Sequence, residues 1–144
     1  MAKRFIIFAL MFMLVCGVFL VSCNPDPAKS SKALGGWEAK WEIKDAPEPS
    51  YDDGYLVEIE IKDDKTFTGV VSSENVRDTE FSGTWEATSK TTGNITVTKV
   101  EKKDWEKALE IGVENQFYCD GSNLLFYSEK EVEAVRFNRV EPNT

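Results

Sequence analysis

The sequence predicts an all-β fold: an antiparallel, up-and-down meander of about eight strands with at most one short helix. Three observations carry that prediction. Apolar and charged residues alternate with a period of two through most of residues 35–140, tight clusters of Asp, Gly, Ser, Asn and Lys interrupt the alternation at short intervals, and no long helical segment separates one strand from the next. Sequential strands joined by short turns pair antiparallel, because a parallel neighbour needs a crossover of a dozen residues or more.

The elements follow in order. Trp37, Ala39, Trp41 and Ile43 alternate with Glu38, Lys40, Glu42 and Lys44, which places the apolar set on one face of a first strand and the charges on the other. Tyr55, Val57, Ile59 and Ile61 repeat the pattern against Glu58, Glu60 and Lys62. Asp63-Asp64-Lys65 reads as a turn into a strand over 66–71. Phe81, Gly83, Trp85 and Ala87 form the next inward face, and a turn over 88–93 leads to a strand at 95–98. Residues 115–119, the turn Asp120-Gly121-Ser122-Asn123 and residues 124–127 make a further hairpin, and 131–140 make a long final strand. Residues 102–109, with Asp104 as N-cap and Gly112 as stop, suit a turn or two of helix, with an irregular strand as the alternative. The two longest loops are 45–54, which holds Pro47 and Pro49, and 72–79.

The N-terminus is of a different kind. Lys3 and Arg4 precede an apolar run from 5 to 21, which then meets Ser22-Cys23 and the helix-hostile Asn24-Pro25-Asp26-Pro27. A membrane span needs ~20 apolar residues, so this is a short leader suited to cleavage. Leu20-Val21-Ser22-Cys23 resembles the lipobox of bacterial lipoproteins. The resemblance implies a signal peptide over 1–22, removed after Cys23 receives diacylglycerol, and a mature chain that begins with an acylated cysteine bearing palmitate-like chains. Two or more acyl chains anchor a protein stably where one does not. In enteric members of that class an Asp after the cysteine retains the protein in the inner membrane. Asn24 stands there, which implies the outer membrane of the cell envelope. Residues 23–34, poor in aromatics and rich in Pro, Ser and Lys, are expected to form a flexible tether to a domain over 35–144.

Seventeen basic and 25 acidic residues give a net charge of −8, and loss of Lys3 and Arg4 with the leader takes it to −10. An acidic surface disfavours nucleic acid and anionic lipid and favours a cationic protein as partner. Cys16 would leave with the leader and Cys23 would carry lipid, so Cys119 is expected to have no disulfide partner and the fold to rest on its core.

Eight such strands commonly close into a barrel, which removes exposed sheet edges. Gly35-Gly36-Trp37 at the start of the first strand, with Arg136 or Arg139 on the last, resembles the Gly-x-Trp opening and terminal arginine of lipocalin-like (calycin) domains. No Thr-Asp-Tyr-like second motif accompanies them. The resemblance implies that one of the two arginines stacks on Trp37 by a cation–π contact.

The residues offer little catalytic chemistry. No histidine is present, which excludes Ser-His-Asp and Cys-His catalysis and His-ligated zinc. Asp52-Asp53 and Asp63-Asp64 lack the alternating acid and closing glycine of a calcium loop, and turn formation explains them. Cys119 alternates with Phe117 and reads as a buried apolar residue without an activating base. The chain is therefore expected to be no enzyme and to need no cofactor or metal. The aromatic residues carry the functional question. Trp37, Trp41, Tyr55, Phe67, Phe81, Trp85, Phe117 and Phe137 are predicted to point inward. They either fill the barrel or line a cavity for a small apolar ligand, with Gly69 and Gly83 expected to leave room for it.

Overall fold

The computed structural model describes residues 26–47, 54–74, 76–128 and 133–141. Residues 1–22, expected to be a leader, Cys23 and the pair Asp52-Asp53 lie outside the described residues. Eight antiparallel strands close into a barrel in sequence order: β1 (Gly35–Trp41), β2 (Tyr55–Ile61), β3 (Thr66–Ser73), β4 (Val76–Ala87), β5 (Thr92–Val100), β6 (Glu114–Cys119), β7 (Asn123–Tyr127) and β8 (Val135–Arg139). Closure comes from β1 pairing with β8, where Trp37 faces Arg139 and Glu38 faces Asn138.

The alternation read from the sequence is what turns each strand. In β2, Tyr55, Val57 and Ile61 are buried while Glu58 and Glu60 are exposed, and β4 and β6 repeat the pattern. Enclosing an aromatic ring removes ~150–250 Å² from water, worth ~4–6 kcal/mol at ~25 cal/mol per Å². A register slip of one residue would expose the whole ring set. The inward rings meet edge-on or tilted: Phe67 and Phe81, on the paired strands β3 and β4, with centroids 6.1 Å apart, and Trp85 and Phe117 6.2 Å apart.

Gly69 and Gly83 have the opposite effect to the one expected of them. Gly69 pairs across the ladder with Phe81, and Phe67 with Gly83. A Cβ on Gly69 would lie 2.2 Å from Phe81 Cζ. One on Gly83 would lie 1.9 Å from the Thr96 carbonyl and 2.8 Å from the Phe67 ring. The space that each glycine vacates is filled by its neighbour's ring, not left as cavity.

Further boundaries differ from the sequence reading: β1 stops at Trp41, short of Ile43, and β5 extends beyond 95–98 at both ends. Most of the segment expected as loop over 72–79 is strand, since β3 runs on to Ser73 and β4 starts at Val76, with Glu74 in a left-handed turn (φ 44°). The ladder shifts register between Val71 and Ser72, and that shift disrupts the alternation from which a strand is read. The helical stretch is one 3-10 turn, Lys103–Trp105, followed by further turns; Lys102 stands at its N-cap, and Asp104 lies inside the first turn instead. The last strand covers only Val135–Arg139, and residues 131 and 132 lie outside the described set. Residues 26–34, expected within the tether, pack as turns against the barrel with Ala28 and Ala33 buried.

Candidate functional site: the two ends of the barrel

Up-and-down order sends the start of β1, the β2–β3, β4–β5 and β6–β7 turns and the end of β8 to one end of the barrel. The 101–113 segment and the end of β1 lie at the other. The first end is plugged by residues 26–34. Trp37, fully buried, donates its indole N–H to the Ala33 carbonyl at 2.8 Å. The guanidinium of Arg139 lies 4.2 Å from the Trp37 ring centroid and donates three hydrogen bonds: Nε to the Gly121 carbonyl (2.8 Å), Nη1 to Leu34 (2.9 Å) and Nη2 to Lys32 (2.7 Å). Of the two candidate arginines the ladder selects Arg139. It shares the inward parity of Phe137, whereas Arg136 is exposed on the outer face. Cys119 Sγ donates to the Lys32 carbonyl at 3.3 Å in the same region, and burial pushes its thiol above the ordinary value. That keeps it protonated and unreactive.

Two turns at this end are tied by carboxylates. Asp64 Oδ1 accepts from the backbone N–H and the hydroxyl of Thr66, and the carboxyl sits below its usual range chiefly because of the Thr66 hydroxyl. Asp120 Oδ1 accepts from the backbone N–H groups of Asn123 and Ser122, which hold it low in the same way. Asp64 is thereby a turn residue.

The opposite end is capped by residues 101–113. The segment leaves β5 with the Lys102 N–H donating to Thr79 Oγ1 (3.2 Å) and returns with the Gly112 N–H donating to the Val97 carbonyl (2.8 Å). It buries Trp105, whose ring meets Tyr55 edge-on at 5.1 Å, together with Ala108 and Leu109. Lys107 Nζ reaches Asp45 Oδ1 at 3.5 Å, across to the loop after β1.

Beneath this cap lies an apolar cavity of about 40 Å³. Trp41, Phe67, Phe81, Phe117 and Phe137 are five of the eight rings expected to line such a space, and all five do. Trp37, Tyr55 and Trp85 do not. Trp37 is sealed under Arg139 at the plugged end, Trp85 is turned to the Lys62 carbonyl by its indole N–H (2.7 Å), and Tyr55 packs under Trp105.

The cavity also has a polar component that the sequence reading missed. Among the described residues three buried side-chain polar atoms lack a hydrogen-bond partner, and two of them, Trp41 Nε1 and Asn115 Oδ1, belong to cavity-lining residues. Leaving such an atom unpaired costs ~1–3 kcal/mol. Glu110 lines the cavity as well. It is only 7% exposed, its carboxylate accepts from the Ser128 hydroxyl at 2.6 Å, and no cation pairs with it among the described residues. Its backbone is left-handed (φ 53°), a conformation that costs a non-glycine residue ~1–3 kcal/mol and that clusters at functional sites. Asn115 shares the parity of Phe117 and Cys119 on β6, a signal present in the sequence but not used there. Glu110, on an aperiodic segment, carried no such signal.

Comparison of the chain with models of known families, with curated proteins and with solved structures finds no match. The two ends themselves supply the contrast on which a functional reading rests: one saturated with hydrogen bonds, the other holding unpaired polar atoms above an apolar lumen.

Proposed function

We propose that this chain is a non-catalytic, lipid-anchored protein of the bacterial cell envelope, held at the outer membrane through Cys23, whose barrel takes up a small, mainly apolar ligand at its capped end. The observation that carries the reading is the apolar cavity under the 101–113 segment, two of whose lining residues, Trp41 and Asn115, bury a polar atom without a partner. A space of about 40 Å³ holds roughly two or three waters, whereas ligand sites commonly measure ~300–1,000 Å³. Uptake therefore requires side chains to move aside. Leu109 and Glu110 are the lining residues carried by the cap and not by a strand.

An apolar fluorescent probe titrated into the protein should saturate at micromolar concentration and quench or shift tryptophan emission, since Trp41 lines the space. A linear, unsaturable response would overturn the ligand reading. Mass spectrometry of the product made in a bacterial host should find the chain starting at an acylated Cys23, and an intact Met1 terminus would overturn the anchor.

A second reading, docking of a cationic protein on the acidic outer wall, is supported by one feature of the register. Glu38 lies directly opposite Glu58 on β1 and β2, both exposed, and their outer ladder neighbours are Asn138 and Val70. Like charges facing one another weaken a sheet. Binding to a basic protein should fall steeply between low and physiological salt, and salt-insensitive binding would exclude this surface.

A further inference from the structure

We infer that the capped end of the cavity is a recognition site for a primary ammonium head group borne on a short apolar body. The inference rests on the barrel-ligand reading and sharpens it. The polar inventory of the cavity wall holds one ionisable group, a carboxyl, and no basic side chain. Glu110 offers two carboxylate oxygens and receives one hydrogen bond, from Ser128, and Asn115 Oδ1 receives none. Asn115 is itself 95% buried, being 5% exposed, and takes the inward parity of Phe117 on β6. The donors are Trp41 Nε1, buried without a partner, and the amide N–H groups of Asn115.

Three head groups can be weighed against that inventory. A carboxylate would bring a second negative charge beside Glu110. A hydroxyl would satisfy Trp41 Nε1 and one acceptor but leave the Glu110 carboxylate without a counter-charge. A primary ammonium has three donors and no acceptor, which matches Glu110 and Asn115, and it supplies the one thing the site lacks among the described residues, a positive charge. Trp41 and Phe126, edge-on with centroids 5.6 Å apart, both line the cavity, and an aromatic lining favours a cation over a neutral group. The other lining side chains are aliphatic or aromatic, so the remainder of the molecule must be apolar. The net charge of −8 favours approach of a cation.

The test uses the full chain in lipid nanodiscs, with empty nanodiscs as the blank, and three probes of equal length: n-butylamine, n-butanol and butyrate. The readout is the Trp41 indole N–H resonance, assigned with W41F. Butylamine should shift that resonance saturably with a half-point at least tenfold below that of butanol, and butyrate should give no shift. E110Q should bring amine and alcohol to within about twofold of each other, with the Trp37 indole resonance unmoved as the sign of an intact barrel. Should E110Q fail to fold, the probe series on the unaltered chain decides by itself. Equal half-points for amine and alcohol would overturn the ammonium assignment and leave the ligand reading in place. No saturable shift with any probe would overturn both and leave a water-filled void.

Discussion

The plugged and capped ends of the barrel are built from the same kinds of residue and are finished differently. At the plugged end a tryptophan, an arginine and the 26–34 segment interlock so that the indole N–H and three guanidinium donors each meet a backbone carbonyl. At the capped end a tryptophan N–H and an asparagine carbonyl are buried without partners, and a carboxylate is buried with one hydroxyl donor. Stability is concentrated where the chain closes on itself, and unsatisfied polarity where a segment of turns crosses the opening. Proteins give up stability in this way at sites that must accept something else.

The largest test of that contrast is Trp37→Ala. Removing a fully buried ring and leaving the Ala33 carbonyl unpaired should cost about 4 kcal/mol in urea unfolding, enough to leave a marginal domain largely unfolded. Arg139→Ala comes next, at about 3 kcal/mol, because three carbonyls lose a charged donor and Trp37 loses its cover. Arg139→Lys should recover only part of this, since an ammonium cannot reproduce the planar fork.

At the capped end the sign should reverse. Asn115→Leu replaces an unpaired buried acceptor with an apolar side chain of similar size, and should leave stability unchanged or raise it by up to about 1 kcal/mol, while reducing the response to butylamine. If Asn115→Leu destabilised as much as Arg139→Ala, the contrast between the ends would be broken.

Smaller effects belong to titration. Asp64 and Asp120 are both held below the ordinary carboxylate value of 3.8, so each favours the folded state above that value, and its contribution is lost as pH falls through the lowered value. The melting temperature should drop on acidification below about pH 4, and Asp120→Asn should flatten that limb. Cys119 has the opposite sign. Its raised value makes the thiol a stabilising group below the ordinary value of 9.0, with the benefit lost as pH rises further, and a thiol reagent should label it slowly in buffer and rapidly in urea.

The meander and the inward rings were legible in the amino-acid order because both are local: a period of two fixes each strand's face, and short polar turns fix antiparallel sequence. The parity of Phe137 and Arg139, and of Asn115 with Phe117, was equally present, and it picks out the arginine over Trp37 and the polar group in the lumen. The tertiary structure alone decided the rest. Whether Gly69 and Gly83 made space or received rings depended on the β3–β4 register. Whether residues 26–34 hung free depended on a barrel end for them to cover. Whether Glu110 faced solvent or the lumen depended on where an aperiodic segment came to rest. Each of these turns on contacts between residues distant in sequence, and local alternation carries no information about which distant side chain arrives opposite.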